Sequence, residues 1–183
     1  GTTEMPRTFT AIACKLLAAN RRVNVALEIS KSDQPLIDAY LASGGSLDDQ
    51  KAFLAQRDWS RKDERQDGRF SIAMFEIIEW VRLQKALGWP INLFAFDASE
   101  LRTAGHTRDT MMAENITLVA ARDSHDNSVI TLVLAGNWHA SRAPRHGSSD
   151  DPAGMYLNMP SVIAFDMIPS GGTAWQMSGG RGG

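Results

Sequence analysis

Three residues far apart in the chain, Glu28, Asp97 and His139, carry the side chains that general acid–base or metal-assisted chemistry needs. Each follows a short apolar run: Val25-Ala26-Leu27 precedes Glu28, Phe94-Ala95-Phe96 precedes Asp97, and Leu132-Val133-Leu134-Ala135 leads through Gly136-Asn137-Trp138 to His139. An imidazole has an ordinary pKa of roughly 6.5, so it can take a proton from water or ligate a metal, and a neighbouring carboxylate fixes its tautomer and raises its basicity. Glu28 beside His139 would form such a pair. Structural alternatives exist for each: Glu28 as a capping carboxylate, Asp97 as an Asx-turn residue, His139 as a satisfied interior histidine.

Bringing these residues together requires a parallel sheet. The apolar runs 23–29, 91–97, 129–135 and 162–168 are continuous instead of alternating, as in strands buried on both faces. Helical patterns separate them. Residues 6–20 open on Pro6 and repeat Phe9, Ile12, Ala13 and Leu16; residues 71–87 carry Met74, Ile77, Ile78 and Val81 and close at Gly88; residues 107–123 begin at Thr107 and turn Met112, Ile116 and Val119 inward. Residues 34–43 and a stretch from Leu47 add an αα insertion. The expectation is an α/β fold, a mainly parallel sheet with helices on both faces, over residues 1–170, followed by a flexible Gly-rich tail at 171–183. Ligands bind such sheets at the carboxyl ends of the strands, where Glu28, Asp97 and His139 all lie.

Further polar residues fall near those ends. Arg108 and Asp109 begin a helical pattern, where the arginine could steady an anion and the aspartate could act on the site or simply complement the helix dipole. Glu4 stands before the first helix and could reach the same edge or serve as a first-turn acid. Asn137, Trp138 and Tyr156 are candidates to line a ligand crevice. The loop after His139 carries Arg142, Arg145 and His146; for these residues, and for His106 and His125, a surface role is expected.

Composition narrows the classes. The 183 residues carry 19 basic and 21 acidic side chains, too balanced to favour nucleic acid, so a small-molecule or peptide partner is expected. The one cysteine, Cys14, excludes an internal disulfide and a thiolate metal cage, and its apolar setting reads as a small buried hydrophobe. No apolar run approaches the roughly 20 residues of a membrane span.

The pieces Gly1-Thr2-Thr3-Glu4-Met5-Pro6, Val25-Ala26-Leu27-Glu28, Asp67-Gly68-Arg69, Arg108-Asp109 with Met112-Ala113, and Gly136-Asn137-Trp138-His139-Ala140, in this order, resemble the superfamily that groups ChaN-like haem-binding uptake proteins, TraB and Tiki proteins and erythromycin esterases. In that superfamily a strand ending in a Gly-Glu-x-His or Gly-x-x-His motif precedes the segment similar to Gly1–Pro6, and such a strand is expected upstream of this chain. The resemblance implies a bacterial protein of periplasm or cytoplasm. It also implies one of three chemistries: ester hydrolysis by a histidine-activated water, metal-dependent proteolysis, or haem binding.

For hydrolysis, His139 would be the base, Glu28 its orienting carboxylate and Arg108 the partner of a developing anion. A metal form would place Glu4, Glu28 and His139 on a divalent ion, a donor set suited to manganese or iron more than to structural zinc. The alternative from another class is a haem- or small-ligand-binding uptake protein using Trp138, Met155 and Tyr156 near the crevice mouth.

Overall fold

The computed structural model describes residues 3–56, 58–60, 68–98, 105–122, 125–144, 150–159, 161–165 and 167. Helix α1 spans Glu4–Ala18, with Pro6 in its first turn, where a missing N–H is harmless, and Lys15 in its last. Asn20 then takes a left-handed φ of 58° and turns the chain into strand β1, Arg22–Ser30. A single 3-10 turn, Lys31–Asp33, leads to α2, Gln34–Leu41, and α3, Leu47–Leu54. Ser46 and Asp49 close a capping box at the start of α3, which gives this short helix a defined beginning. This is the αα insertion expected from the sequence.

Helix α4, Ile72–Ala86, is capped by the Ser71 hydroxyl and ends at Gly88, whose φ of 82° no branched residue would tolerate. Strand β2, Ile91–Asp97, follows at once; then come α5, Arg108–Arg122, strand β3, Val129–Leu134, and two one-turn helices, α6, Asn137–Ala140, and α7, Ala153–Tyr156.

The three strands form one all-parallel sheet in the order β2-β1-β3, with Val25 opposite Leu93 on one side and Leu132 on the other. Because side chains alternate across a strand, central β1 feeds two cores. Val23, Val25, Leu27 and Ile29 join Phe9, Leu17, Ile37 and Ile78 on the face covered by α1, α2 and α4. Ala26 points the other way and joins Phe96, Met112, Ile116, Ala153 and Leu157 beneath α5 and α7. The fold is thus α/β, with helices on both faces of a parallel sheet.

Three expectations change. Residues 162–165 and 167 are not in a strand, and Ile163 and Phe165 are 74% and 79% exposed; residues 166 and 168 lie outside the described part. An apolar run supplies a reason for burial but no partner ladder, and among the described residues the ladder ends at β3. β3 is accordingly half-buried along most of its length, because only β1 pairs with it among the described residues. On α1 the buried residues are Pro6, Phe9, Ala13 and Leu17, the last three an i, i+4, i+8 stripe, which turns Ile12 and Cys14 outward. Cys14 is therefore exposed, not the buried hydrophobe its neighbours suggest. Arg145, His146 and the tail 171–183 lie outside the described residues. Among the described residues, no helix is long and apolar enough to cross a membrane.

Candidate functional site

Parallel strands end on one edge of their sheet, and the helices that run back between them begin on that same edge. Glu28 sits near the end of β1 and Asp97 ends β2; both are buried, at 6% and 1% exposure. β3 passes through Gly136 into α6, which carries His139. On the opposing side, α5 starts at Arg108 because Thr107 and Thr110 cap it reciprocally: the Thr110 N–H donates to the Thr107 hydroxyl at 3.2 Å, and the Thr107 N–H donates to the Thr110 hydroxyl at 2.9 Å. This fixed start delivers Arg108 and Asp109 to the edge where Glu28, Asp97 and His139 gather.

Arg108 ties the group together. Its Nε and Nη2 donate to the two oxygens of Asp97 at 2.8 and 2.9 Å, a two-pronged fork, and Nη2 also donates to Glu28 Oε1 at 3.1 Å. Burial works against the charge of this guanidinium, but hydrogen bonding to Asp97 and the charges of Asp97 and Glu28 outweigh it, so its pKa is raised above the ordinary arginine value. Arg69 adds a second cation, donating to Asp97 Oδ2 at 2.9 Å and to Glu28 Oε1 at 3.4 Å. The other Glu28 oxygen accepts the Gly136 N–H at 2.8 Å. Glu28 thus also holds the backbone that leads into α6, since Gly136 is the N-cap residue of that helix.

His139 has a different orienting carboxylate from the one expected. Its Nδ1 is 2.7 Å from Asp109 Oδ1, while Glu28 Oε1 is 3.8 Å from Nε2, too far for a hydrogen bond. Arg108 Nη1 lies 3.1 Å from Nε2. A guanidinium only donates, so Nε2 must accept, and the ring proton is assigned to Nδ1, from which it is donated to Asp109. Asp109 Oδ1 also accepts the buried Ala153 N–H at 2.7 Å. This assignment turns Nε2 of His139 toward the arginine and Nδ1 toward Asp109.

The expected metal set does not assemble. Glu4 opens α1 as an exposed first-turn acid, and no three His, Cys, Asp or Glu side chains among the described residues are grouped to hold an ion. The charge that a divalent cation would supply beside Glu28 and Asp97 is already supplied by two guanidinium groups, so the residues present do not fit a Glu4–Glu28–His139 metal centre. Asn137 and Trp138 are exposed on α6 and Tyr156 is exposed at the end of α7; three exposed side chains do not make the walls of an apolar haem crevice. His106 instead pairs with Glu114 on an exposed face of α5, 3.2 Å apart, and His125 is exposed.

Three participants escaped the reading of strand ends: Arg69 and the backbone N–H groups of Gly136 and Ala153. Arg69 had a signal. It stands two residues before the Ser71 cap of α4, and a helix that precedes a parallel strand begins at the edge where strands end, as α5 does with Arg108. The two amides carry no side-chain signature.

Comparison of the chain with known protein families, with curated proteins and with solved structures gives no match, so the site is interpreted from its geometry.

Proposed function

We propose that the chain is a hydrolase of an ester or amide bond in a small molecule or peptide, with His139 as general base. The observation that carries this reading is the Asp109–His139–Arg108 line: a carboxylate fixes the Nδ1 proton at 2.7 Å, which leaves Nε2 as the acceptor beside a permanently charged donor at 3.1 Å. A substrate entering here would displace the Arg108 Nη1 contact. Water then gives a proton to Nε2 and its oxygen bonds to the carbonyl carbon; the electron pair of the carbonyl becomes an oxyanion facing Arg108 Nη1. Collapse of this intermediate breaks the bond to the leaving group, which takes the proton back from Nε2. Arg69 and the Asp97 fork hold Arg108 in place throughout. The reading agrees with the chemistry that the resemblance to erythromycin esterases implies, with Asp109 in the orienting role.

The test is a panel of chromogenic esters and amides offered to the wild-type protein and to His139→Ala. Turnover by the wild type that is lost in a variant of unchanged melting temperature supports the reading; turnover that survives in the variant contradicts it.

A further inference from the structure

Helix α7 lies against both partners of the His139–Asp109 pair, yet contributes no side chain to it. Its first residue, Ala153, is buried and gives its N–H to the same Asp109 oxygen that holds His139 Nδ1. Its second residue, Gly154, is also buried, and a Cβ there would lie 2.6 Å from the carbonyl oxygens of both Ala140 and Ser141, the two residues after His139. Those are backbone atoms at the end of α6, and they cannot swing aside as a side-chain tip would. Ala153 and Leu157 anchor the helix in the smaller core with Met112 and Ile116 of α5. One short helix therefore touches the carboxylate on α5 and the backbone that carries the imidazole on α6.

We propose that α7 is the positioning element of the site: the Ala153 amide aims Asp109 at His139, and the absent side chain of Gly154 lets α7 close onto α6 so that the pair meets at 2.7 Å. An Asp109 oxygen that accepts two N–H groups is fixed in direction, whereas one that accepts only the imidazole can swing about its side-chain torsions. The inference rests on His139 being the working group of the site, but its geometry can be read without turnover.

Two variants separate the two contacts. Gly154→Ala forces α7 away from α6. Ala153→Pro breaks the amide contact without touching the Gly154 contact: proline has no N–H, and its ring Cδ takes the place of that hydrogen against Asp109 Oδ1, so the carboxylate must turn away; Ala153 is the first residue of α7, where proline suits a helix, and Pro152 before it has φ −67° and ψ 153°, the extended conformation a following proline requires. In nitrogen-15 spectra of the imidazoles, the wild-type His139 ring is expected in the Nδ1–H form with a downfield, slowly exchanging proton. Both variants are expected to lose that proton signal, and any hydrolysis is expected to fall by about 100-fold in kcat with little change in KM, the cost of a misplaced reacting group. Asn158→Ala, just beyond α7, should change neither. If Gly154→Ala does not fold, Ala153→Pro decides alone. A folded Ala153→Pro or Gly154→Ala protein that keeps the wild-type imidazole signals overturns the inference. Loss of those signals in a protein whose wild type hydrolyses nothing on the panel leaves the positioning role standing and removes the hydrolase reading instead.

Discussion

Arg82 and Arg108 are both forked onto a carboxylate, yet their surroundings follow different plans. Arg82 donates Nε and Nη2 to the two oxygens of Glu79, each at 2.7 Å, three residues earlier on α4; the Tyr40 hydroxyl donates to the same carboxylate at 2.6 Å. Gly45, at φ 70°, lies flat against the guanidinium, where a Cβ would come within 2.2 Å of it. Charge is balanced one to one and all the groups are held in their ordinary ionisation states: burial and then Glu79 push the Tyr40 phenol far above its usual range, the hydrogen bond from Arg82 holds Glu79 below the usual carboxylate range, and Glu79 raises Arg82. Nothing there exchanges a proton near neutrality.

At the strand ends, two arginines face three carboxylates, Glu28, Asp97 and Asp109, and the cluster also contains the His139 imidazole. Its arginines are partly open to solvent, with 28% and 33% of their side-chain surface exposed, against 8% for Arg82. The contrast separates a cluster that locks α2 to α4 from one that keeps a proton acceptor within reach of water. Breaking each cluster should therefore give different signatures.

The largest effect is expected for His139→Ala, which should lower hydrolysis by about 100- to 10,000-fold, the usual worth of a positioned base, while thermal melting stays near that of the wild type. Asp97→Ala comes next in stability. It leaves Arg69 and Arg108 to share the single Glu28 carboxylate, and breaking a buried ion pair costs ~3–5 kcal/mol; partial exposure of both arginines and the remaining Glu28 contact put the expected loss near ~3 kcal/mol, measurable by urea unfolding, with hydrolysis falling as well. Glu79→Gln should destabilise by about 2 kcal/mol through the uncompensated Arg82 charge but leave kcat unchanged.

The Arg82–Glu79 cluster also carries a pH dependence with a fixed sign. The Glu79 carboxyl is lowered in the folded protein from its ordinary value of 4.5, so the stability it contributes is full above that pH and is lost as pH falls through the lower folded value. The stability gap between wild type and Glu79→Gln should therefore be constant from neutrality down to about pH 5 and should narrow below it. A gap that widens in acid would contradict the assignment. The smallest change is expected for Glu28→Gln, about 1–2 kcal/mol, because the amide keeps the shape but presents an N–H either to the Gly136 amide or to Arg108. Its rate should fall with its stability, unlike that of Glu79→Gln.

Much of this was legible in the sequence where burial and periodicity act together. Met74, Ile77, Ile78 and Val81 announced α4, and the runs 23–29, 91–97 and 129–135 announced three parallel strands and the edge at which Glu28, Asp97 and His139 gather. The run at 162–168 failed because apolar content alone does not say which strand will pair with it, and Cys14 failed because helical phase, not apolar company, decides burial. In the site, residue types were readable and pairings were not. Glu28 and Asp109 are both carboxylates near His139, and only the start of α5 at Thr107 determines that Asp109 reaches Nδ1 while Glu28 turns to Gly136 and the arginines. Ala153 and Gly154 act through a backbone amide and an empty Cβ position, which no motif of side chains can reveal.

The most direct test of the account is the rate of ester and amide hydrolysis by wild type, His139→Ala and Asp109→Asn, measured beside their melting curves. Asn at position 109 presents either a carbonyl without charge or a donor to Nδ1, so it weakens or inverts the tautomer that leaves Nε2 free to accept. The account predicts measurable turnover by the wild type, a fall of at least about 100-fold in both variants, and melting temperatures that remain close together. Turnover undiminished in His139→Ala, or a wild type that hydrolyses no member of the panel, would contradict it.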